Sequence, residues 1–150
     1  ALSVSGLTRV AVIRTGIVLG DGGMMKKVLP LFSAGLGGRI GHGRQPFSFI
    51  HMKDLTGLIL AVIGNPEMKG VYNGVSPEPV TNLQFTQTLA RIMKRPAVMT
   101  VPPFALILLY GEAAGVLSGG QEVVPDRVLE SGFRFAFPAL KEALEDLLSS

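Results

Sequence analysis

The chain of 150 residues has no cysteine and no tryptophan. The missing cysteine excludes disulfides, thiolate catalysis and cysteine-bound zinc, and it fits an intracellular home. Only two tyrosines and two histidines occur. Neither Tyr72 nor Tyr110 has a lysine four residues on, so there is no Tyr-x-x-x-Lys pair. His42 and His51 have no His, Cys or H-E-x-x-H partner at ligand spacing, and no metal site is expected. No Ser-His-Asp order and no pair of catalytic carboxylates stands out, so no catalytic residue is assigned.

Charge is also sparse. The net charge is +3 and no run of basic residues occurs, so nucleic acid is not an expected partner. Aromatics are too few for a base-stacking platform. The longest near-apolar run, Val101 to Tyr110, is too short to span a bilayer and contains two prolines. The opening residues show no basic-then-apolar leader. A cytoplasmic protein is expected, with an organellar stroma or matrix as the other setting.

Present instead is material for a core. Forty-seven per cent of the residues are hydrophobic and 17% charged, which fits one ordinary globular domain. Nineteen glycines and ten prolines, without a fixed period, indicate many turns.

Arg9 to Leu19 is rich in Val and Ile and reads as one strand buried on both faces, as in a parallel sheet. "GDGG" turns the chain into a helix over Met24 to Ala34, where Pro30 marks a kink or a start. Gly35 to Gly43 reads as a glycine-rich loop and Phe47 to Met52 as a short strand. Asp54 is placed to cap a helix whose apolar stripe is Leu55, Leu58, Ile59, Val62 and Ile63. Gly70 to Ser76 is a further strand. Thr81 and Gln84 form a capping-box pattern before a helix, and Ala97 to Val101 is a short strand. Pro103 and Pro125 each open a helix, and the last helix carries Leu140, Leu144, Leu147 and Leu148 on one face. The order is α/β. A buried parallel strand needs neighbours on both sides and few strands are present, so part of the sheet is expected to lie outside this chain.

The glycine segment "GLGGRIGHG" can bring backbone N–H groups close to a phosphate, or it can be a tight turn with left-handed positions. It matches neither the Walker loop nor the dinucleotide fingerprint. Arg44 and Gln45 follow it, and Arg suits a phosphate or carboxylate. His42 lies in the loop and can touch a ligand, whereas His51 reads as a hydrogen-bonded residue holding a strand–helix junction. Arg14, with Thr15 and Gly16, lies in an apolar strand. A buried Arg needs a partner, which is structural or a ligand at the strand's carboxyl end. Glu112 is a possible buried partner for it. Asn73 and Ser76 end a strand, either as pocket liners or as turn residues. Arg127 starts a helix and can reach an anion or lie exposed.

Taken together, Ile13 to Gly20, "GLGGRIGHGRQPFSFIHMKDL", "GVYNGVSPEPVTNLQF" and "GGQEVVPDRVLESGFRFAFPALKEAL" resemble one family. They look like the C-terminal half of the epimerase-like extended short-chain dehydrogenases/reductases, grouped with NAD-dependent sugar-nucleotide epimerases. The resemblance implies the last strands of a Rossmann-type sheet plus a small helical substrate-binding subdomain over residues 1–150. It implies that the dinucleotide loop and any catalytic Ser and Tyr belong to an N-terminal half that this chain lacks. It places NAD or NADP in the full-length parent near Arg14, Thr15 and Gly16, with binding by this chain alone not expected. It places a nucleotide-sugar-like molecule near Arg44, Gln45, His42, Arg14, Thr15, Asn73, Ser76 and Arg127. Arg44, Ile50, His51, Asp54 and Leu55 match an R-D-[FY]-[IV]-H-V-x-D-L pattern, although the Arg-to-His spacing is longer here. A homo-oligomer is expected because apolar edges would be left open. The alternative is a non-catalytic binding module of the same ancestry, related to cell or organelle division, with Phe104 to Tyr110 as its contact patch.

Overall fold

A computed structural model describes residues 9–102 and 121–149. The first strand region changes partner at one residue. β1 (Ala11–Thr15) pairs in parallel with β5 (Gly70–Gly74), while β2 (Ile17–Leu19) pairs in parallel with β4 (Phe49–His51). Between them stands Gly16, whose N–H donates to the Gly74 carbonyl at 3.2 Å. The next amide, Ile17 N–H, donates to the Ser48 carbonyl at 2.8 Å. A Cβ at Gly16 would run into that Ser48 carbonyl, so the close approach requires glycine.

Arg9 to Leu19 is thus two strands sharing one line. It is not buried on both faces: Val12, Arg14 and Thr15 are exposed. Among the described residues only one face of β1 and β5 is covered. Ala11, Ile13 and Tyr72 on that face pack on Leu58, Val62, Met68 and Val128.

The segment read as a glycine loop contains a third strand. β3 (Gly38–Ile40) pairs in parallel with β6 (Met99–Val101). The other elements are α1 (Gly23–Ser33), α2 (Met52–Gly64), α3 (Asn82–Met93), α4 (Asp126–Glu130) and α5 (Leu140–Ser149). Pro30 lies inside α1 and neither starts nor ends it. The capping box forms as the sequence predicts: Thr81 N–H donates to Gln84 Oε1 at 2.7 Å, and Gln84 N–H to Thr81 Oγ1 at 3.3 Å. The helix opened by Pro103, together with Phe104 to Tyr110 and Glu112, lies outside the described residues.

α2 departs from its predicted stripe. Leu58 and Val62 are buried, but Ile59 and Ile63 are exposed. Carbonyls at its C-terminus and in the turn beyond are held by one distant side chain. The Arg9 guanidinium donates to the carbonyls of Val62, Asn65 and Met68 at 2.7, 3.0 and 2.6 Å. A cation there also suits the negative end of the helix dipole. A second core joins α1, α3 and α5 over β2 and β4 through Leu19, Met25, Phe32, Phe49, Leu89 and Leu144. No described helix is long and apolar enough to cross a membrane.

Candidate functional site

The candidate residues fall into three places. Arg14 and Thr15 end β1 opposite Asn73 and Gly74. Arg14 is exposed, contrary to the expectation of a buried arginine, because the outer face of β1 is open among the described residues. Asn73 Nδ2 donates to the Val124 carbonyl at 3.1 Å. Nearby, Ser48 Oγ donates to the Gln121 carbonyl at 2.9 Å and accepts from Val123 N–H at 3.3 Å. Segment 121–124 is therefore tied to β5 and to the residue before β4. Ser48 was not among the expected residues; its signal is a polar side chain between Phe47 and Phe49 in an apolar run.

The second place is the N-terminus of α2. His51, and not Asp54, is the N-cap: its Nδ1 accepts from Lys53 N–H at 3.2 Å. The ring is buried, lies 4.2 Å from the Phe137 ring, and has Nε2 3.4 Å from Asp146 Oδ2. That approach lacks the alignment of a hydrogen bond. Burial lowers the His51 pKa from its ordinary value, partly offset by the Asp146 and Asp54 carboxylates. Asp54 makes a long-range clamp instead: Oδ1 accepts from Ala136 N–H at 2.7 Å and Oδ2 from Phe137 N–H at 3.0 Å. Ser76 Oγ bonds the Pro138 carbonyl, and Glu78 Oε2 accepts from Leu140 N–H at 2.9 Å. Three side chains thus staple residues 136–140 over the carboxyl ends of β4 and β5. Ser76 has a structural task here. So has Arg127, which donates to the Val71 and Lys69 carbonyls at 2.6 and 2.9 Å and lies 4.7 Å over the Tyr72 ring.

The third place is the turn after β3. Gly43 N–H donates to the Ile40 carbonyl at 2.9 Å, and Gly41 N–H to the Val101 carbonyl at 3.0 Å. Gly43 sits at φ +73, a left-handed value that strains other residues. The glycine amides hold the turn together and do not form an open phosphate cradle. What the turn presents is side chains. His42 and Arg44 are exposed, and His42 Nδ1 accepts from Arg44 N–H at 3.0 Å. Gln45 is buried: Nε2 donates to the Ile40 carbonyl at 3.0 Å, while Oε1 has no partner. The chemistry available is anion binding by cationic and neutral donors; nothing in the turn pairs a nucleophile with a base.

A family model described as a domain of unknown function, DUF1731, matches residues 101–147. The chain is 44% identical over 149 residues to the chloroplastic epimerase family protein SDR39U1 homolog of Arabidopsis thaliana, covering 99% of this chain and 43% of that protein. It is 42% identical over 144 residues to mouse epimerase family protein SDR39U1, covering 95% and 49%. The crystal structure of human epimerase family protein SDR39U1 with NADPH superposes with a TM-score of 0.90 at 39% identity, over 95% of this chain and 49% of that one. The Thermus thermophilus UDP-glucose 4-epimerase complex with NAD, at 16% identity and a TM-score of 0.65, shares the fold. The chain spans about half the length of the curated relatives it matches. Parallel strands, Rossmann-type structural neighbours and this identity across nearly the whole chain agree: the chain belongs to the epimerase-like extended short-chain dehydrogenase/reductase family.

Proposed function

We propose that this chain is the substrate-binding, C-terminal half of an NAD(P)-dependent epimerase- or dehydratase-like protein that acts on a nucleotide sugar. The observation that carries the reading is the exposed Arg44 and His42 on a turn locked by its own backbone bonds. A pre-formed cationic turn suits a diphosphate, since little side-chain or backbone ordering is left to do on binding.

The residues present fit only part of a dinucleotide. Exposed Arg14 and Thr15 at the carboxyl end of β1 offer polar groups beside the sheet, where ligands of α/β folds bind. The glycine-rich pyrophosphate loop is not in the sequence. In the parent, NAD or NADP would supply hydride transfer and the other half the acid–base groups. This chain's part is to hold the sugar nucleotide by its phosphates and turn its sugar toward β1.

Calorimetric titration with UDP-glucose and with NADPH tests this. UDP-glucose should bind and the Arg44→Ala variant should lose most of that binding, while NADPH gives no heat. UDP-glucose affinity unchanged in Arg44→Ala, or no binding at all, overturns the reading.

A further inference from the structure

We infer that Arg39 is a second phosphate-binding arm of the turn, acting opposite Arg44 with His42 between them. The inference rests on the nucleotide-sugar reading and adds to it a residue that the family pattern does not mark. Arg39 is in the middle of β3, and its neighbours Gly38 and Ile40 line an apolar cavity of about 60 Å³ behind the strand. Side chains alternate along a strand, so Arg39 is directed to the opposite, solvent face.

Two contacts fix its course. The Arg39 stem passes over Gly43: a Cβ there would sit 3.3 Å from Arg39 Cδ and 3.4 Å from its Cβ. Its Nε donates to Thr100 Oγ1 at 3.4 Å across the β3–β6 ladder. Among the described residues the terminal amino groups have no hydrogen-bond partner and can act as a fork. Arg44 follows Gly43 directly in the chain, so both arginines adjoin one glycine.

His42 completes the set. Because Nδ1 accepts the Arg44 amide, the neutral ring carries its proton on Nε2. The turn therefore offers three donors from Arg39, His42 and Arg44. None of the three forms an ion pair with a described carboxylate. Uncompensated cations held on one rigid turn attract a multiply charged anion. Inside the same turn, Gln45 Oε1 is buried without a hydrogen-bond partner, a deficit unusual in folded proteins. Three exposed donors on one turn fit a diphosphate better than a bare phosphate.

The test uses this chain with UDP and with uridine as probes, titrated at low salt against wild type, Arg39→Ala, Arg39→Lys and Arg44→Ala. Thermal melts confirm that each variant is folded. Arg39→Ala should weaken UDP about tenfold, the loss of one charge-assisted contact. Arg39→Lys should recover part of it, and uridine binding should not change. If Arg39→Ala stays within about twofold of wild type while Arg44→Ala loses UDP, the role of Arg39 is wrong and the parent reading stands. If Arg44→Ala also binds UDP normally, or wild type binds none, both fail together.

Discussion

His42 and His51 each accept, through Nδ1, a backbone N–H two residues further along: Arg44 at 3.0 Å and Lys53 at 3.2 Å. The local bond is the same and the surroundings are opposite. His42 is exposed on a turn whose arginines pair with no carboxylate among the described residues. His51 is 2% exposed, packed on Phe137, and faces Asp146. Around His51 the acidic groups Asp54 and Glu78 already hold backbone amides of residues 136–140. The carboxylates beside His51 are taken up in holding the fold together, whereas the turn at His42 keeps its charged donors outward. A shared side-chain motif thus says little about role until burial and neighbouring charge are known.

Substitutions can break this contrast. The largest effect belongs to Asp54→Ala, which takes a buried carboxylate away from the partly buried N–H groups of Ala136 and Phe137. It should cost about 3 kcal/mol and lower the melting temperature by roughly 10 °C in calorimetry. His51→Ala removes a helix cap and a buried ring, for a loss of about 2 kcal/mol. His42→Ala should change stability by less than about 0.5 kcal/mol, since the ring is exposed. Equal losses for the two histidines in chemical denaturation would erase the distinction drawn between them.

A smaller effect is set by pH. The His51 pKa lies below its ordinary 6.5 in the folded chain. As pH falls through that value, the unfolded chain takes up the proton first, so stability drops on the acid side and is unaffected above it. The His51→Asn variant keeps a capping side chain and should flatten the dependence of melting temperature on pH. An NMR titration that placed the His51 midpoint above 6.5 would reverse the sign.

Much of this arrangement was legible in the residues. The capping box at Thr81 and Gln84 is a local pattern, and it forms as written. Strands β4, β5 and β6 also lie where apolar β-branched runs place them. What escaped depends on partners far away in sequence. β3 is three residues of a glycine segment and exists because β6 lies beside it. Asp54 sits at capping spacing, yet its carboxylate serves amides more than eighty residues away. Ile59 and Ile63 satisfy the helical period, but among the described residues α2 is covered on a narrower face than the period suggests. For the site, the Arg44 turn was visible as a glycine–arginine cluster. The engagement of Arg127 with the Val71 and Lys69 carbonyls was not, because a lone arginine carries no sign of its partner.

Gly16 has a consequence for cooperativity. One continuous line of chain serves two ladders, with β5 on one side of the glycine and β4 on the other. Neither ladder can open at that line without loosening its neighbour. The line from Ala11 to Leu19 therefore acts as a shared clasp, and the amides of β4 and β5 should become exchangeable with solvent as one unit.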